Sequence, residues 1–189
     1  METLDIDIVI IKGAPASGET QTAKELTKFF PKGVRVEIDN LRSMVISVDW
    51  TNQDEHINIL KLSTRLVNDF YDLGFKPIIV IDTFSGDKIN TYIETLSKLN
   101  SAWKISIFGL YATENEIKRR IGERPIDQFK DFVVCRKINE DTLRFRHERE
   151  IQIDTTELDS KETAKKIYER LMKKNNSNKN SLILKKHKL

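Results

Sequence analysis

Eight consecutive residues, Gly13-Ala14-Pro15-Ala16-Ser17-Gly18-Glu19-Thr20, have the spacing of a phosphate-binding loop, G-x-x-x-x-G-K-[ST], except that a glutamate replaces the lysine. In such a loop the glycines let the backbone approach phosphate oxygens, the lysine neutralises the outer phosphates and the hydroxyl holds Mg²⁺. The expected nucleotide-contacting set is Gly13, Ala14, Pro15, Ala16, Ser17, Gly18, Glu19, Thr20 and Gln21, with Thr20 as a Mg²⁺ ligand. The chemistry this serves is phosphoryl transfer from a nucleoside triphosphate such as ATP, which depends on positioning and charge neutralisation.

Glu19 opposes that chemistry. Two unit charges about 4 Å apart interact by about 4 kcal/mol at an effective dielectric near 20, so exchanging attraction for repulsion costs roughly twice that. The transfer step is expected to suffer more than binding. Lys12 and Lys24 are the nearest alternative cations in sequence, and both read as solvent-facing lysines.

The elements needed to hold such a loop are legible around it. Ile6 to Ile11 is a short apolar run, and Thr20 to Phe30 has helical spacing at Ala23, Leu26 and Phe30 before Pro31. Further strands are expected at Val34–Ile38, Ile78–Ile81, Ile105–Leu110 and Ile151–Ile153. Helices are expected at Asn40–Val48, Asp54–Leu73 and Asp87–Leu99, and in a last segment where Asp159 and Glu162 form a capping box ahead of Ala164, Ile167, Tyr168 and Leu171. Strands alternating with helices predict an α/β three-layer sandwich: a parallel five-stranded sheet with helices on both faces and ligands beyond the strands' carboxyl ends. That rule makes Asp39 and Asp82, each directly after a strand, candidates for proton acceptance or Mg²⁺ binding.

Composition fits one domain. The chain has 189 residues, 39% of them hydrophobic and 32% charged. No apolar run approaches the roughly 20 residues needed to span a bilayer, and Met1 to Asp7 is acidic rather than cationic, so a cytoplasmic location is expected. Cys135, the single cysteine, excludes an internal disulfide and reads as a buried thiol. The segment 173–189 holds six lysines and no acids, leaving 26 basic against 29 acidic residues elsewhere. This predicts a domain over 1–172 and a basic, disordered extension over 173–189 with an apolar island at Leu182-Ile183-Leu184.

Asp39-Asn40-Leu41-Arg42 matches the D-x-x-R element of the P-loop polynucleotide kinases, and its distance from position 19 resembles theirs. The third-strand ending Val80-Ile81-Asp82-Thr83 is similar too, as is the basic stretch Glu116 to Pro125 with Arg119, Arg120 and Arg124. Over about residues 6–172 the chain thus resembles the P-loop polynucleotide 5′-hydroxyl kinase and zeta-toxin-like group, with the Walker A lysine replaced by Glu19. The resemblance implies Asp39 as general base, Arg42 as the grip on a neighbouring acceptor phosphate, Asp82 as a partner of Thr20 at Mg²⁺, and a lid over about 118–135. Within that lid Arg119 contacts nucleotide, while Arg120 and Arg124 share a face of a helix continuing through Gly122 and stabilise transfer.

Three functions stay open on these residues: a polynucleotide 5′-hydroxyl kinase impaired by Glu19, a nucleotide-binding pseudokinase with regulatory partners, and a toxin-like kinase of a small hydroxyl-bearing metabolite. The stretch Lys118 to Arg149, with ten basic and six acidic residues, makes short or end-bound nucleic acid a candidate partner. Trp50 and Phe84 are candidates for base stacking, whereas Trp103 reads as core. His147, among charged residues before a strand, reads as a surface or hydrogen-bonded polar group.

Overall fold

The computed structural model describes residues 5–126 and 129–186, with side chains up to Asn175. Five parallel strands, β1 (Ile8–Gly13), β2 (Val34–Glu37), β3 (Ile78–Asp82), β4 (Ile105–Tyr111) and β5 (Glu150–Asp154), form one sheet in the order β2-β3-β1-β4-β5. The helices are α1 (Glu19–Thr27), α2 (Ile38–Arg42), α3 (Gln53–Asp72), α4 (Lys88–Leu99), α5 (Glu114–Gly122), α6 (Phe132–Arg144) and α7 (Ser160–Lys186).

β1 is central and buried along its whole length, and its alternation divides the core. Val9 and Ile11 pack with Leu26 of α1 and with Ala164 and Ile167 of α7. Ile8 and Ile10 pack on the opposite face with Leu60 and Val67 of α3 and Leu96 of α4. Trp103 joins this second cluster, as expected.

Several boundaries depart from expectation. α2 stops at Arg42 instead of reaching Val48, and tight turns from Val45 N to Arg42 O and from Val48 N to Val45 O follow it. The run Val45-Ile46-Ser47-Val48 is poor in helix formers, and the Arg42 guanidinium folds back on the Asp49 carbonyl. Met44 and Ile46 are left exposed. α6 is an additional helix, capped by Asp131, whose side chain accepts from Val134 N at 3.0 Å.

α7 passes the expected boundary at Met172 without a break and continues to Lys186. Buried Asn175 accepts a hydrogen bond from Asp5 N at 3.1 Å, and Lys174 reaches Ser106 Oγ at 3.2 Å, so polar contacts continue the docking of the helix past buried Leu171. The Asp159–Glu162 capping box forms in both directions, at 2.9 and 2.8 Å. Asp127 and Gln128 of the expected lid, residues 187–189, and the side chains of Leu182, Ile183 and Leu184 lie outside the described residues.

Candidate functional site

Gly13 ends β1 and the chain curls at once, with Ser17 N donating to Ala14 O at 2.9 Å. A Cβ at Gly13 would collide with the Ser17 side chain, so the first motif glycine is demanded by close approach. Ala16 and Gly18 both take positive φ, 75° and 96°, which turns the backbone into the N-terminus of α1. Thr20 follows as the second helical residue, half-buried, and Gln21 is exposed.

Glu19 is the first residue of α1, and its carboxylate accepts the Ser17 hydroxyl at 2.9 Å. Burial pushes its pKa up to about 7, the largest influence; the Ser17 bond and Arg124 pull it down, and Asp39 pushes it further up. The glutamate therefore turns into the loop, and Arg124 is the arginine whose charge bears on it.

Neither nearby lysine replaces the missing one. Lys24 is exposed, as expected. Lys12, expected at the surface, is fully buried on the α3/α4 side of β1, where it pairs with Glu150 at 3.2 Å and donates to Thr142 O at 3.2 Å and Phe145 O at 2.7 Å. A charged residue in an apolar strand stays buried when its charge is paired and its protons are hydrogen-bonded, as they are here.

The arginines separate. α5 ends at Gly122, two residues before Arg124 and three before Pro125, whose ring disfavours helix in the residue before it. Arg120 and Arg124 therefore do not share a helical face. Arg120 faces backwards, donating to Ala16 O at 3.2 Å, Thr155 O at 2.5 Å and Glu116 at 2.7 Å, so it clamps the loop to the β5–α7 turn. Thr155, a residue sequence reasoning missed, completes the clamp by donating to Ser17 O at 3.0 Å. Arg119 pairs with Glu116 and Glu123, and Arg124 donates to Phe129 O at 2.9 Å.

Beside this clamp lies a cavity of about 570 Å³, bordered by Gly18, Gln21, Arg119, Thr156, Leu158 and Ser160. It adjoins the loop on the β5–α7 side, and a mixture of polar and apolar walls suits a nucleoside.

On the other flank the strand-end carboxylates gather. Asp82 is buried; its Oδ2 accepts Phe84 N at 2.7 Å and its Oδ1 meets His56 Nε2 at 2.9 Å. Lys88 Nζ lies 3.1 Å from His56 Nδ1, and an ammonium only donates, so Nδ1 accepts and Nε2–H points at Asp82. His56 also escaped sequence reasoning, although its spacing to Leu60, Ser63 and Val67 sets it on the buried stripe of α3. Asp39 keeps contact with solvent beside this group, while the protein packed around its carboxylate strips part of its hydration and, with the Asp82 charge second, raises its pKa. Arg42 is buried under Trp50, whose ring centroid is 4.6 Å from the guanidinium carbon, and its Nε has no partner.

Phe84 does not stack on a ligand: it is fully buried against Tyr92 at 5.1 Å between ring centroids. Trp50 keeps half its surface exposed. Cys135 is buried among Ala16, Ile117 and Ile121, and His147 is half-buried with Nδ1 accepting Arg149 N at 3.1 Å, both in line with expectation. Among the described residues no three His, Cys, Asp or Glu side chains form a ready metal cluster, and no helix is long and apolar enough to cross a membrane.

Solved structures share this arrangement. The chain superposes on a gluconokinase from Sinorhizobium meliloti 1021 with a TM-score of 0.68 at 14% identity, covering 95% of this chain and 99% of that one. It matches the tunicamycin resistance protein of Deinococcus radiodurans with a TM-score of 0.62 at 18% identity, over 88% and 95% of the two chains. A chain of the Pnkp1/Rnl/Hen1 RNA repair complex matches with a TM-score of 0.62 at 18% identity, over 76% of this chain and 46% of that one. The fold, a five-stranded parallel sheet between helices, is one that these proteins share. At these identities the likeness is one of fold. No protein-family model and no curated protein matches the sequence.

Proposed function

We propose that this protein is a nucleoside-triphosphate-dependent phosphotransferase of the polynucleotide 5′-hydroxyl kinase type whose transfer step is suppressed by Glu19. One observation carries the reading: the P-loop has a nucleoside-sized cavity on one flank and Asp39 with Asp82 on the other, so donor and acceptor approach from opposite sides. In this reading Asp39 takes the proton of the acceptor hydroxyl as that oxygen bonds to the transferred phosphorus and the nucleoside diphosphate leaves. Thr20 and Asp82 fit Mg²⁺ by their oxygen donors, and the ion supplies charge neutralisation when bound. Arg124, the cation coupled to position 19, supports the transferring phosphoryl group, while Arg120 holds the loop in shape.

Arg42 favours a nucleic-acid end as acceptor, because its buried guanidinium retains an unpartnered Nε and Trp50 offers an exposed aromatic face beside it. The protonation of Glu19 near neutral pH supports residual nucleotide binding.

A second reading, a small-metabolite kinase, is favoured by a cavity of about 440 Å³ between α3 and α4 with Lys88 at its edge. The Ser17–Glu19 bond favours a third, a nucleotide-binding pseudokinase. Labelled phosphate transfer in a Glu19→Lys variant, offered oligonucleotides with free 5′ hydroxyls, nucleosides and sugars, decides among them. Transfer to 5′ ends is expected; transfer only to a metabolite overturns the acceptor assignment, and no transfer with intact nucleotide binding leaves the pseudokinase.

A further inference from the structure

The loop between α6 and β5 is stapled from beneath. Lys12 holds the carbonyls of Thr142, in the last turn of α6, and of Phe145, and Glu150 accepts His147 N at 3.2 Å while pairing with Lys12. Glu150 reaches Lys12 over Gly109, the β4 residue beside Lys12, where any Cβ would collide with the glutamate. A buried ion pair adds little net stability against an apolar replacement, so its consequence here is conformational: it fixes one loop geometry.

What that geometry presents is positive charge. Arg144, Arg146 and Arg149 are exposed, as is Lys98 on the adjacent α4. Among the described residues no carboxylate lies within ion-pair distance of any of the four. Burial first, then the Arg149 charge, lowers the pKa of both His147 and Lys174, and Arg146 acts likewise on Lys12, as expected where cations crowd. Lys98 and Arg146 border an open groove of about 670 Å³ between α4 and the loop. Ile93, a buried core residue, closes the groove's floor, while Asn90, Ser97 and Glu94 offer amide, hydroxyl and carboxylate groups. On its far side Arg149 approaches Lys174 of α7 beside a second, smaller cavity.

We infer that this groove and its arginine loop bind single-stranded nucleic acid, with backbone phosphates on Lys98, Arg146 and Arg149 and base edges on the polar groups between them. Lys98 and Arg146 on the groove, with Arg149 beyond it, suit successive phosphates, and the amide, hydroxyl and carboxylate groups of Asn90, Ser97, Glu94 and Glu148 suit base edges, which a polyanion without bases cannot use. The surface lies apart from the P-loop, so the inference stands whether or not phosphate is transferred.

Fluorescence anisotropy of a labelled single-stranded RNA of about twelve nucleotides, titrated with the full chain between about 50 and 200 mM salt, tests it. The double variant Arg146→Glu/Arg149→Glu is expected to bind at least about tenfold more weakly and with a salt slope shallower by about 1.5, while its unfolding temperature and its response to nucleotide stay the same. Unchanged affinity in that variant overturns the assignment, because the lysines of 173–186 then carry the binding. So does absence of binding by the unaltered chain, or competition by poly-glutamate as strong as that by poly-uridine. None of these outcomes touches the phosphotransfer reading, which the nucleotide response reports separately.

Discussion

Ser17 donates its hydroxyl to the Glu19 carboxylate at 2.9 Å, so the glycine loop after β1 carries an anion at the position where the phosphate-loop motif has a cation. The glutamate pKa is raised from 4.5 to about 7, which means the folded state holds the proton more tightly than the unfolded one. Stability linked to this group is therefore complete below about pH 4.5 and is lost as pH rises through 7. Glu19→Gln is expected to stabilise the protein by roughly 1–3 kcal/mol at pH 8 and negligibly at pH 4, measured by denaturant unfolding at both values.

On the proposed function, the same proton should control nucleotide binding. A Mg²⁺-nucleotide thermal shift is expected to be larger at pH 6 than at pH 8, and Glu19→Lys should remove that trend while enlarging the shift at both. A shift in the unaltered protein that grows with pH contradicts the placement of Glu19 against the phosphates.

Asp39→Asn, introduced beside Glu19→Lys, is expected to cut phosphate transfer by about 10²-fold or more and to leave the nucleotide-induced thermal shift in place. Single-turnover transfer with labelled nucleotide measures the first, and loss of both signals would show that Asp39 acts on the fold.

Arg120 and Arg124 should behave differently although they are four residues apart. Arg120→Ala removes charge-assisted bonds to Ala16 and Thr155 and is expected to cost about 1.5–3 kcal/mol of stability. Arg124→Ala should stay within about 0.5 kcal/mol of the parent and lower transfer in the Glu19→Lys background. Urea unfolding beside transfer rates separates the two.

Lys12→Met or Glu150→Gln alone breaks a pair whose side chains are 1% and 0% exposed, and Lys12→Met strands an uncompensated charge at a cost of about 3–5 kcal/mol. Lys12→Met with Glu150→Leu should recover most of that loss. Failure of the double variant to recover means that the staples to Thr142 and Phe145, rather than charge, dominate.

Strands and most helices were legible because periodicity is local: the apolar run ending at Ile11, the spacing of Ala23 and Leu26, and the Asp159–Glu162 box each report on their own neighbourhood. α6 was missed because its buried residues, Cys135, Asn139 and Thr142, form a stripe that is mostly polar. The contacts of Arg120 were not legible for a different reason. Its basic stretch states the charge, but the partners Ala16 and Thr155 lie 104 and 35 residues away and come together only when the loop after β5 packs on the P-loop.

Its residues alone determined a parallel α/β structure with a glycine turn after the first strand, a glutamate opening the first helix and two strand-end aspartates, since these depend on spacing within a few residues. Tertiary structure decided that Lys12 is buried with Glu150, that His56 orients toward Asp82, and that Arg120 serves the loop's shape. Each of those outcomes balances a desolvated charge against partners remote in sequence, and that balance exists only once the chain has closed around them.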